Sequence, residues 1–234
     1  MNRRLFNQLC LALGCALLTT QRQVWALALS DLSNAEASSG VRGALQTGAL
    51  SAVGLLGKPD GFMGNPLVRI ALPGHLEDAA KLLRTLGQGK QVDELVTAMN
   101  RAAESAVPMA KDLLLGAVKS MSLSDAKKIL MGGETSVTEF FAERTRAPLA
   151  VKFLPLVSKA TAKVGLAEKY NRVAAKAAGL GLVKKEDANI EQYVTGKTLD
   201  GLYLMIGEEE KKIRRDPVGT GSAMLQKVFG ALRQ

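Results

Sequence analysis

LDGLYLMIGEEEKKIRR, residues 199–215, decides the fold. Leu199, Leu202, Tyr203, Ile206 and Ile213 recur at steps of three and four, which places them on one side of an α-helix. Glu208, Glu210, Lys212 and Arg214 fall on the other side. A strand would need strict alternation, and the segment has none. Its i,i+4 pairs run from acid to base, and positive charge gathers towards the C-terminus, as the helix dipole favours. Each such pair supports an exposed helix by about 0.2–0.5 kcal/mol. The charged stretch therefore reads as a solvated face, with a partner-docking face as the sharper alternative. Asp216-Pro217 stops the helix, and Ile190 to Val194 reads as a shorter helix before it.

The same periodicity recurs upstream. A first helix over residues 35–56 carries the stripe Val41, Leu45, Ala49, Ala52, Val53 and Leu56, with Ser33 and Glu36 spaced as a capping box. Its interior glycines predict a neighbouring backbone packed close, or a bent helix. Leu76, Ala79, Ala80, Leu83 and Leu86 mark a second helix ending at Gly87. Val92, Leu95, Val96, Met99, Ala103 and Ala106 mark a third, which Pro108 kinks or restarts so that it continues through Leu113, Leu114, Ala117 and Met121. Ser124 to Met131 is short and closed by Gly132-Gly133. Ser136 and Glu139 form a second capping box, for a helix with Val137, Phe140 and Phe141. Pro148 suits the first turn of the next helix, with Leu149, Phe153, Val157, Ala160 and Val164, ended by Gly165. Leu166 to Ala177 and Met224 to Phe229 complete the set. The expected architecture is all-α: a single compact domain over residues 29–234, roughly eight to ten helices, and at most one short extended segment, at Leu67 to Leu72. No repeat and no low-complexity linker divides it.

Residues 1–28 read as a cleaved signal peptide. Arg3 and Arg4 precede an apolar run from Leu9 to Leu18, too short for the ~20 residues of a bilayer span. Small-x-small sites at Val24-Trp25-Ala26 and Ala26-Leu27-Ala28 put the cut after Ala26 or Ala28. Ala12-Leu13-Gly14-Cys15 is a poor lipoprotein box, and anchoring at Cys15 is the minor alternative. Both cysteines, Cys10 and Cys15, lie in this leader, so the mature chain can form no disulfide. No later segment is apolar enough to span a membrane. The expected compartment is the periplasm. Composition, 47% hydrophobic and 23% charged, supports a packed core; aromatics at 4% suit close helix packing better than a β-sandwich. Removing Arg3, Arg4 and Arg22 from the 31 basic residues leaves 28 against 22 acids, a net +6. In the periplasm such an excess meets anionic lipid or cell-wall polymer rather than nucleic acid.

Familiar chemistry is excluded in turn. Gly89-Lys90 is followed by Gln91, so no Walker loop forms, and Gly179-x-Gly181 lacks the third glycine of a dinucleotide fingerprint. His75 is the one histidine, with no elbow serine to serve and no cysteine to share a zinc ion. It reads as a helix-entry residue. Glu139 and Glu143, four apart, could share a cleft, but capping by Glu139 and pairing of Glu143 with Arg144 or Arg146 is the preferred reading. No catalytic residue, metal or cofactor is assigned.

The long irregular stretch from Gly57 to Pro66, rich in turn dipeptides, is the candidate binding segment. It and the residues just after it offer Lys58, Asp60, Gly61, Asn65 and Arg69 to a ligand or partner; a rigid turn holding two helices is the plainer reading. LGKPDGF at 56–62, GNP at 64–66 and VRI at 68–70, with AMNRAAE at 98–104 and DGL at 200–202 before the acidic triplet and Ile213-Arg214, resemble the bacterial domain of unknown function 4197 family. The resemblance runs from about Leu29 to Phe229. It implies an exported bacterial protein and gives no residue a catalytic role. Three functions stay open: a non-enzymatic binding or scaffolding protein, a carrier of an apolar or amphipathic ligand, and a carboxylate-based enzyme acting on cell-wall glycan. Partners in view are an envelope protein, an anionic envelope component or a second copy of the chain.

Overall fold

The computed structural model describes residues 34–162 apart from 86, 88 and 134, then 168, 171, 189–216 and 219. The leader, Ser33, the helices read at Leu166 to Ala177 and Met224 to Phe229, and the side chain of His75 lie outside what is described. Every regular element among the described residues is helical. They are α1 (Asn34–Leu56), α2 (Gly74–Thr85), α3 (Gly89–Ala106), a 3-10 turn (Val107–Ala110), α4 (Lys111–Lys119), α5 (Leu123–Met131), α6 (Ser136–Thr161) and α7 (Ile190–Arg215).

Seven α-helices are thus described, so the eight to ten predicted are not confirmed, and two expected breaks are absent. Ile190 to Val194 and Leu199 to Arg215 form one continuous helix. Pro148 does not begin a helix: it and Pro155 lie inside the 26 residues of α6. An interior proline costs about 3 kcal/mol through its missing donor and its ring clash. Burying Leu149, Phe153 and Val157, each 0% exposed, contributes about 1.5–3 kcal/mol apiece. Both prolines sit on the exposed side, where water reaches the carbonyls they leave unbonded. Packing on one side outweighs the defects on the other.

The expected stripe of α1 is buried throughout: Val41, Leu45, Ala49, Ala52 and Leu56 are at most 1% exposed and Val53 is 9%. It packs along α7, where a Cβ on Gly48 would stand 3.8 Å from the carbonyl oxygen of Ile206, so the small residue does mark a close helix approach. Gly54 in the same helix has no neighbour within 4 Å of that position, so close packing accounts for some of these glycines and not all. On α7, Leu199, Leu202, Tyr203 and Ile206 are buried as read. The opposite side is not simply solvated, however. Glu210 is 3% exposed, and Glu209 accepts a 2.5 Å hydrogen bond from Ser51 Oγ of α1. The acidic triplet begins where α7 is still covered, so part of it belongs to the helix interface.

Tyr203 joins α7 to α6. Thr145 Oγ1 donates to the Phe141 carbonyl at 2.6 Å and therefore accepts from Tyr203 Oη at 2.9 Å. Burial pushes the Tyr203 phenol above its ordinary pKa. Pro108 restarts the chain as expected, through the 3-10 turn between α3 and α4. The capping box read at Ser136 and Glu139 is not formed. Thr135 is the N-cap and makes no side-chain capping bond, while Ser136, already in the first turn, sends its hydroxyl back to the Gly133 carbonyl at 2.9 Å. A capping box does open α5, from Ser122 and Asp125.

Candidate functional site

The chain from Gly57 to Pro73 has no helix or strand, so its polar backbone groups need other partners. Turns within the segment pair several of them, among them Gly64 N–H with the Asp60 carbonyl and Arg69 N–H with the Asn65 carbonyl, and helix α3 supplies four more. Asn100 and Glu104, one turn apart, are 0% and 4% exposed. The Asn100 amide donates to the Ile70 carbonyl and accepts from the Ile70 N–H, both at 2.9 Å, pairing one loop residue as a strand would. Glu104 Oε1 accepts from the N–H groups of Phe62 and Met63, at 3.1 and 3.0 Å. Its other oxygen takes Arg101 Nη1 at 2.6 Å, and Arg101 Nη2 reaches Asp60 at 2.8 Å. Bonds first to Glu104 and then to Asp60 raise the Arg101 pKa further.

Steric limits complete the clamp. Asp60 has φ 64°, a left-handed conformation that short polar residues tolerate. A Cβ on Gly61 would stand 2.5 Å from the Leu56 carbonyl oxygen, and one on Gly201 of α7 would stand 2.9 Å from the Phe62 ring and 3.2 Å from Val68. Phe62 is 0% exposed. Tyr193 Oη donates to the Ala71 carbonyl at 3.1 Å, so both α3 and α7 hold the segment.

The five candidate residues therefore part company. Asp60 is paired to Arg101, and Gly61 is wedged against α1. Asn65 turns inward: its carbonyl oxygen accepts from the Leu67 N–H at 3.1 Å, and its amide approaches the Met205 sulfur at 3.8 Å. Lys58 and Arg69 are exposed. Of the five, Arg69 lines a cleft of about 510 Å³. Its floor is Met63, Arg69, Ala71 and Leu72; α2 contributes Glu77, Ala80, Lys81 and Arg84, and α3 contributes Asp93, Val96 and Thr97. Arg84 and Asp93 pair at 2.8 Å between these walls. Helix α2 rests chiefly on α3.

Asn100, Glu104 and the α2 lining were not singled out from sequence as site residues. The available signal was a pair of polar residues one turn apart within the apolar run of α3. Glu139 and Glu143 line a second hollow, of about 330 Å³, with Asp125 and Arg144. Both glutamates are exposed on one side of α6 and do not oppose each other across a cleft. Asp125 is held below its ordinary pKa by the Ser122 backbone N–H, helped by the Ser122 hydroxyl and Arg144. Among the described residues no group of three or more His, Cys, Asp or Glu could hold a metal ion, and no helix is long and apolar enough to cross a membrane.

The segments that build this clamp are those whose sequence carried the family resemblance. A family model described as protein of unknown function (DUF4197) matches residues 31–230. No curated protein and no solved structure matches the chain.

Proposed function

The chain belongs to the DUF4197 family, and from that premise we propose that it is an exported, non-enzymatic binding protein of the bacterial envelope that takes its partner in the cleft between α2 and α3. The observation that carries this reading is the cleft itself. It has an apolar floor, charged walls and a volume of about 510 Å³, within the usual range for ligand sites. Arg69, at its base, is supplied by a segment clamped at both ends, so its guanidinium is offered from a rigid support. Export rests on the leader read at residues 1–28. The exposure of Glu139 and Glu143 on a single helix side argues against paired-carboxylate glycan hydrolysis, which requires two groups flanking one bond.

A second reading, a carrier of an amphipathic ligand, is favoured by the apolar floor of the same cleft. Native mass spectrometry of protein recovered from periplasm separates the two. A bound protein or peptide supports the first reading, and retained lipid supports the carrier. Arg69→Glu should reduce retention of either. N-terminal sequencing should begin at Leu27 or Leu29; cytosolic protein retaining Cys10 and Cys15 would overturn the envelope assignment.

A further inference from the structure

Between Glu143 and Glu168 the sequence contains five basic residues and no acid. Most of this stretch is the second half of α6. One side of that helix carries Val137, Phe141, Arg144, Pro148, Val151 and Pro155, at alternating steps of four and three. Val137 and Phe141 are 0% exposed, but Val151 is 75% exposed, and both prolines are exposed as well. An apolar stripe that begins inside the core therefore runs out into solvent. Lys152 and Lys159 are exposed beside it, about 10 Å apart along the helix.

Among the described residues, the acids of neighbouring helices are engaged elsewhere than at Lys152 and Lys159. Asp125 pairs with Arg144 at 2.9 Å, and Asp200 pairs with Arg146; Glu139 and Glu143 belong to the earlier turns. We propose that the outer face of α6, from Pro148 to Lys159, docks on an anionic lipid surface. Lysines would meet headgroup phosphates while Val151 and the prolines enter the headgroup layer.

Two features favour lipid over a protein partner. Protein interfaces are enriched in aromatics and depleted in lysine, and this face has the reverse composition. The two prolines also leave the carbonyls of Arg144 and Val151 without helical donors, which suits the wet headgroup level and forbids deeper burial. The proposal is independent of what the α2–α3 cleft takes.

Co-sedimentation with vesicles tests it, using phosphatidylglycerol mixed with phosphatidylethanolamine against phosphatidylcholine alone. The protein should pellet with the anionic vesicles only. Lys152→Glu with Lys159→Glu should lower that partitioning at least about tenfold, and Val151→Asp should also weaken it. Lys90→Glu with Lys111→Glu, at exposed positions outside α6, makes the same net charge change and should keep most of the binding. Circular dichroism verifies that each variant stays helical. Equal binding to both vesicles, binding to neither, or an equal loss in the Lys90/Lys111 control would overturn the proposal.

Discussion

Glu104 shows how much one side chain can be asked to do. It is 4% exposed, accepts from two loop N–H groups and pairs with Arg101. Glu104→Ala would strand both donors and leave Arg101 with Asp60 alone. Breaking a buried charge network from one side costs about 3–5 kcal/mol, of which about 3 is expected here because Arg101 is half open to water. At about 2–4 °C per kcal/mol for a chain of this size, Tm should fall by about 6–12 °C. Glu104→Gln keeps one carbonyl acceptor and should lose less. Thermal melts followed by circular dichroism decide the order, and an Ala variant as stable as the parent refutes the clamp. Asp60, Gly61 and Asn65 were readable as turn residues. Their partners were not, because which helix presents Asn100 and Glu104 to them depends on tertiary packing.

At the scale of helices, sequence located interiors better than ends. The stripes of α1 and α7 are buried as read, and so is that of α3 except for the half-buried Val96. The errors came from starting a helix at Pro148 and from reading 190–194 and 199–215 as two helices, since local propensity cannot register the burial that overrides it. Pro155→Ala should restore a hydrogen bond on an exposed helix side. After allowing for the freer unfolded chain, a gain of about 1–2 kcal/mol is expected, read as a raised Tm; a lower Tm would mean that the proline ring packs favourably. The cap of α5 adds a pH dependence. Asp125 titrates lower in the folded protein than in the unfolded chain, so its contribution is full above the unfolded pKa and fades as pH falls through the lowered folded value. Asp125→Asn should therefore flatten the acid limb of Tm against pH below about pH 5. Ser122→Ala should cost about 1 kcal/mol at neutral pH. An acid limb unchanged in Asp125→Asn would assign the acid sensitivity to other carboxylates, such as Glu209. Burial works to raise the Glu209 pKa, but bonds from Lys212 and Ser51 outweigh it and hold the value down.

Across the whole molecule, three stretches far apart in sequence meet at Phe62: the loop that bears it, α3 through Glu104, and α7 through Gly201. The motifs of the family resemblance on those stretches were visible in sequence, but their convergence was not, since no local pattern links residue 62 to residue 201. Gly201→Val tests whether this junction positions the cleft. The new side chain would meet the Phe62 ring and Val68 from a Cβ already within 2.9 and 3.2 Å of them. Overpacking of this kind costs about 1–3 kcal/mol. The chain has two ways to relieve it. If α7 moves, its packing on α1 and α6 loosens and Tm falls without local effect on the loop. If the loop moves, Phe62 leaves its site, the Glu104 and Asn100 bonds open, and Arg69 leaves the cleft floor. The second route is expected, because the loop is held by side-chain bonds and α7 by the core. Limited proteolysis should then cut the variant between Gly57 and Pro73, where the parent resists, and hydrogen exchange should quicken at Phe62, Met63 and Ile70 before it does in α7. Faster exchange in α7 first would make the loop the rigid partner and reverse the assignment.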